Sequence, residues 1–326
     1  MLEMSRLRRC RALRRIAAEA LVASVLGGLV ASSGPAAEPP AKPPAPVPGF
    51  PFADPESMLE RMFGPPSPDE KQALAKVEVS IREERQMGQA ALDTCLAALR
   101  AQKIPVIRRG KDVTYLRELV ASIQPLMANR QRYPTIQVLL ADSPQIEARS
   151  FPGGSLVFFR GLLDSAGSEA ALVGIIAHEL VHLDRGHVLA RARRVKLAQR
   201  TFSGPIRGMS PQQFFDMGTA SLRMWTRPFQ PEDEQEADRE GARMAYRAGY
   251  DPREMALLFL EIQEREAAHR VGLPQFLQSH PAPGDRHKAI MELYDELVRK
   301  DPKPGLYVGK ENLRRRIPRR REEFPQ

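Results

Sequence analysis

The stretch Gly174-Ile175-Ile176-Ala177-His178-Glu179-Leu180-Val181-His182-Leu183-Asp184-Arg185-Gly186-His187 decides how this chain is to be read. Two histidines four residues apart on a helix project from one face, so both imidazoles can reach a single ion about 2.1 Å from each nitrogen. Glu179 follows the first histidine, and its carboxylate points beside that ion, where it can take a proton from a water the ion acidifies. The flanks support a helix: Ser168 is a candidate N-cap, Glu169 puts an acid in the first turn, and Ala170 to His182 runs without proline. Leu172, Ile175, Ile176, Leu180 and Leu183 seat it in a core, where two histidines without a partner would be costly. An accidental match on an ordinary buried helix is the plain alternative, so the pattern needs a further ligand.

Glu232-Asp233-Glu234-Gln235-Glu236-Ala237-Asp238 supplies a candidate. Glu234 and Asp238 are again four apart, so one helical face carries a carboxylate for the metal and a second to hold a ligand histidine in its correct tautomer. Glu236 and Glu240 fall on other faces. The competing reading is a solvated, acidic helix start.

With both segments in view, the chain resembles zinc metallopeptidase family forty-eight, which holds the HtpX proteases, the CAAX prenyl endopeptidases and the soluble periplasmic BepA and LoiP proteases. The resemblance runs from Glu83 to Leu297 on four blocks: Phe151-Pro152-Gly153-Gly154 with its following strand, His178 to His187, Glu234 to Asp238 with Ala248-Gly249-Tyr250-Asp251-Pro252, and Ser279-His280-Pro281 with Arg286. It implies zinc on His178, His182 and Glu234, Glu179 as general base, and Asp238 as partner of a ligand histidine. It implies that His280 and Arg286 lie over the metal, stabilising an oxyanion or, for the histidine, capping the zinc in a latent state; a turn residue before Pro281 is the plainer reading of His280. His187 reads as structural rather than as a ligand, because three side chains and a water already fill a tetrahedral site.

The ends differ from the middle. Six arginines between Arg6 and Arg15 precede an apolar run from Ala20 to Ala31 and the small residues Ser32 to Ala37, the layout of a signal peptide over 1–37, with an uncleaved anchor as the alternative. Residues 38–66 are proline-rich and read as a stiff linker. Cys95 is then the one cysteine left, which excludes an intramolecular disulfide. The net charge of +9 is an end effect: residues 1–37 carry six Arg against two Glu, and residues 299–326 carry ten Lys/Arg against four Asp/Glu, so the body is near neutral. This argues against nucleic acid as a partner. The tail 301–326 reads as disordered and basic, with contact to an envelope or membrane surface as the other option.

Helical patterning runs from Pro68 to about Ala101 and from Val113 to Met127, and the metalloprotease domain is placed at 67–300. Strands are expected at 136–140, 145–151 and 155–160 around turns at 142–144 and 152–154. The fold class that follows is α+β: a mainly helical, gluzincin-type domain with a small sheet beside the metal helix. Ser155, Leu156, Val157 and Phe158 are candidates for pairing with a substrate backbone at an open sheet edge, against the alternative of an ordinary buried strand. In membrane-embedded members the region corresponding to 188–233 carries hydrophobic spans; here Arg191, Arg193, Arg194, Lys196, Arg200, Arg223 and Arg227 forbid one. The whole points to an exported, zinc-dependent endopeptidase acting in a periplasm on misfolded or unassembled polypeptides. A zinc-bound chaperone or assembly factor is the alternative.

Overall fold

The computed structural model describes residues 66–201, 229–268 and 283–326. The signal and nearly all of the linker, the stretch 202–228, and His280 lie outside them.

The fold is α+β, with helices dominating a four-stranded mixed sheet. Helix α1 (Pro68–Ala75) and α2 (Ile81–Ala101) replace the single expected segment; Ser80 breaks it by capping α2, its side chain accepting from the Glu83 amide while Glu83 reaches back to the Ser80 amide. Strand β1 (Val106–Ile107) and α3 (Lys111–Ile123) follow, then β2 (Gln137–Ala141), β3 (Ala148–Phe151) and β4 (Ser155–Phe159). The sheet order is β1-β2-β4-β3, with β2 parallel to β4 and β3 antiparallel to it. Positive φ at Gly153 (79°) and Gly154 (93°) turns β3 into β4, and buried Glu84 accepts from the Gly153 amide, Tyr133 and Arg132 to fix that corner.

This topology overturns one expectation. Ser155, Leu156, Val157 and Phe158 form an inner strand, paired on both sides and buried throughout. No substrate backbone can add to a strand whose two edges are already taken. The signal was present in the sequence, since apolar residues on both faces mark an interior strand.

Helix α4 (Arg160–Ser165) leads to α5 (Glu169–Asp184), which carries the two histidines. Every residue of α5 is buried, against β3 and against α3, α7 (Pro231–Arg247) and α8 (Arg253–Ala268). A helix buried on all sides needs its ends fixed as well as its faces. At the N-terminus Ser168 caps the Ala171 amide at 3.1 Å, and Glu169 accepts from Tyr115 (2.8 Å), Tyr250 (2.7 Å) and the Arg319 amide (2.9 Å). Burial raises the Glu169 carboxyl above its ordinary range, and those three donors only partly oppose it. At the C-terminus Asp184 accepts from the amides of Ala128 (2.9 Å) and Asn129 (2.6 Å).

A second correction concerns the tail. Residues 301–326 are folded onto the body after α9 (Pro283–Lys300), and they include α10 (Lys310–Arg315). Carbonyls of Val308 and Gly309 accept from the Ala170 and Glu169 amides at 3.0 and 3.2 Å, closing the entry of α5. Arg316 pairs with Asp112 at 3.0 Å and Arg321 with Glu118, while Asn312, fully buried, holds the Ile317 and Glu322 carbonyls. The arginines that looked solvated meet carboxylates of α3, so the domain extends past residue 300. Among the described residues no helix is long and apolar enough to cross a membrane.

Candidate active site

Helix α7 lies across α5 at a close approach set by Gly241. A Cβ there would stand 2.9 Å from the His178 amide nitrogen and 3.1 Å from its Cα, so only glycine lets the two backbones meet. The crossing brings the expected residues together. His178 Nε2 and His182 Nε2 are 3.0 Å apart, and each is 3.5 Å from a carboxylate oxygen of Glu234. Ligand atoms of a tetrahedral zinc site, each about 2.0–2.1 Å from the ion, stand roughly 3.3 Å apart, so the three side chains fit such an ion. His178 and His182 are fully buried and Glu234 is 3% exposed, and a buried set of two imidazoles and a carboxylate is what a divalent cation would compensate. Glu179, 1% exposed, sits on the same helix between the two ligands.

Asp238 lies against the first of these histidines. Its Oδ1 lies 3.0 Å from His178 Nδ1, which leaves Nε2 for the metal. Arg286 grips the same carboxylate with two bonds, Nε to Oδ2 at 2.5 Å and Nη2 to Oδ1 at 2.6 Å, and its guanidinium lies 4.1 Å from the Phe259 ring centroid. Burial alone would raise the Asp238 pKa; the Arg286 charge and the bonds from His178 and Arg286 outweigh it and hold the group at about 2. Arg286 Nη2 is also 3.8 Å from Glu234 Oε2. These polar contacts thus run to the two acids of α7, Asp238 and the candidate ligand Glu234.

Two features were not foreseen. Gly186, at φ 79°, reverses the chain between α5 and α6 (His187–Thr201) and folds His187 back so that its Nδ1 lies 3.0 Å from His182 Nδ1. His187 Nε2 in turn lies 3.2 Å from Oε2 of Glu236, a residue that helical spacing had put off the site. Phe229 stacks on His182 at 3.9 Å with 16° between the rings, and Arg191 lies over its other face at 3.7 Å. The trailing Gly-His was the only sequence signal for the first; nothing in the sequence pointed to Phe229.

Residues 115–294 match the sequence profile of Peptidase family M48. The chain belongs to peptidase family M48. Among M48 relatives it is 31% identical over 218 residues to the beta-barrel assembly-enhancing protease of Escherichia coli strain K12, covering 64% of this chain and 43% of that protein. It is 27% identical over 208 residues to the mitochondrial metalloendopeptidase OMA1 of Bos taurus, covering 58% of this chain and 39% of the relative. A beta-barrel assembly-enhancing protease of Yersinia pestis is 32% identical over 169 residues, 49% of this chain and 34% of the other. The chain therefore spans less than half the length of these M48 relatives.

Proposed function

We propose that this protein is a zinc-dependent endopeptidase that cleaves misfolded or unassembled polypeptides in the periplasm of a bacterial envelope. The observation that carries the reading is the meeting of His178, His182 and Glu234 around one point, with Glu179 beside them on the same buried helix. A Zn²⁺ held there supplies a polarised scissile carbonyl and a water acidified towards neutrality. The chain's own groups do the rest. Glu179 takes the proton from that water and returns it to the leaving amine nitrogen, which is the work of a single carboxyl cycling between acid and base. Asp238 keeps the His178 proton on Nδ1, and Arg286 keeps Asp238 ionised and fixed. The substrate class and compartment rest on the resemblance of the four sequence blocks to the soluble periplasmic members of the family and on the arginine-led apolar segment at the start of the chain.

Glu179→Gln tests the mechanism apart from the fold. It should keep one Zn²⁺ per chain and the parent unfolding curve, while casein cleavage falls by about 10²–10⁴-fold. His178→Ala, His182→Ala and Glu234→Ala should each lose the metal. Parent-like proteolysis by Glu179→Gln, or full zinc occupancy in Glu234→Ala, refutes the reading.

A further inference from the structure

A metal-binding imidazole uses one ring nitrogen for the ion, and an acceptor at the other fixes the tautomer and stops the ring from turning. His178 has Asp238 for this purpose. For His182 the corresponding nitrogen, Nδ1, lies 3.0 Å from Nδ1 of His187. One proton placement makes this contact and the next both hydrogen bonds when His182 Nε2 is kept for the metal. His182 Nδ1–H donates to His187 Nδ1, and His187 Nε2–H donates to Glu236, whose Oε2 is 3.2 Å away, with Asp233 Oδ1 at 3.7 Å behind it. His187 is 7% exposed and begins α6, whereas Glu236 lies on the outer, half-exposed side of α7.

We infer that His187 is a positioning residue for the second metal ligand, relaying the Glu236 carboxylate to His182. Both histidine ligands are then oriented by acids of α7, Asp238 directly and Glu236 through one intervening ring. The stacked Phe229 restrains the same His182 ring from its face, so its edge and its face are both held. The two arrangements differ in consequence. Asp238 is 3% exposed and doubly bonded to Arg286, while the relay's acid reaches solvent, so the His182 side is the looser of the two supports.

The inference rests on the assignment of zinc to His178, His182 and Glu234, and zinc affinity in the full chain tests both. Competition with a chromogenic chelator should show His187→Ala about 10–100-fold weaker for Zn²⁺ than the parent. The metal-free variant should unfold at the parent midpoint. His187→Asn, whose short amide can set its oxygen near the position of Nδ1, should recover most of that loss, and with Co²⁺ bound its visible spectrum should match the parent's. A role in packing alone predicts no such rescue. Parent-like affinity in His187→Ala, or an Asn variant as weak as Ala, overturns the relay. If His187→Ala fails to fold, Glu236→Gln serves instead: a several-fold loss supports the relay and an unchanged affinity overturns it. His182→Ala run alongside separates the two claims, because retained zinc in that variant sinks the metal assignment itself.

Discussion

Gly241→Ala places one methyl group at the crossing of the two helices that bear the site. Its Cβ would stand 2.9 Å from the His178 nitrogen and 3.1 Å from its Cα, where ordinary contact begins at 3.4 Å, so about half an ångström must be found. The obstructing atoms are backbone, and they cannot rotate aside as a side chain could. The helices must separate, at an overpacking cost of about 1–3 kcal/mol. Alanine recovers part of this, because it is about 1 kcal/mol better than glycine inside a helix. The stability change is therefore small, at most about 2 kcal/mol. Metal binding receives no such compensation. Glu234 lies two turns along the same face from Gly241 and moves with it, whereas metal–ligand distances tolerate only about 0.2 Å. The expected outcome is a modest shift in the urea midpoint of the metal-free protein with zinc affinity down at least about tenfold. Gly167→Ala, with nothing within 4 Å of its new Cβ, is the control and should leave zinc affinity unchanged. A Gly241→Ala protein that binds zinc like the parent would refute the claim that this glycine sets the ligand geometry.

The Glu83 carboxyl, held at about 2 by the Lys196 side chain and then the Ser80 amide, is depressed on folding, so its contribution is complete above pH ~4.5 and is lost as pH falls towards 2. The melting-temperature gap between the parent and Glu83→Gln should be constant from pH 7 to 5 and narrow steadily as pH falls towards 2; because the group is partly exposed, the gap corresponds to less than about 1 kcal/mol, and a gap that does not narrow between pH 5 and 2 contradicts the ion pair. Asn312→Ala strips the amide that holds the Ile317 and Glu322 carbonyls, at about 1–3 kcal/mol for each group left unsatisfied, and should open the arginines from Arg314 to Arg321 to trypsin; equal resistance in parent and variant would show that the tail docks without it.

How much of this was legible varies with how local the cause is. The α5 helix, its cap at Ser168 and the four-residue spacings of His178/His182 and Glu234/Asp238 are written in short-range pattern, and they appear where periodicity put them. Membership of Ser155 to Phe158 in an inner strand was also written locally, but the mechanistic appeal of an open edge pointed the other way. The tail was not legible. Arg316 and Arg321 find Asp112 and Glu118 only through tertiary folding, and a run of arginines without its partners looks like a solvated terminus. The same holds for Glu236. Helical spacing correctly puts it off the Glu234 face, yet the turn at Gly186 brings His187 to meet it there.

The closure of α5 by Val308 and Gly309 links the site to the order in which the chain is made. Synthesis runs from the N-terminus, so the helix bearing His178, Glu179 and His182 emerges long before the segment that completes its first turn and supplies the third donor to Glu169. Until that segment arrives, two amides at the helix entry and a buried carboxyl lack their protein partners. The candidate metal centre is thus among the last parts of the molecule to be finished. Until residues 308–319 have been made, the chain carries His178, Glu179, His182 and Glu234 without the completed helix entry that helps to arrange them, which separates in time the making of these residues from the finishing of the site they form.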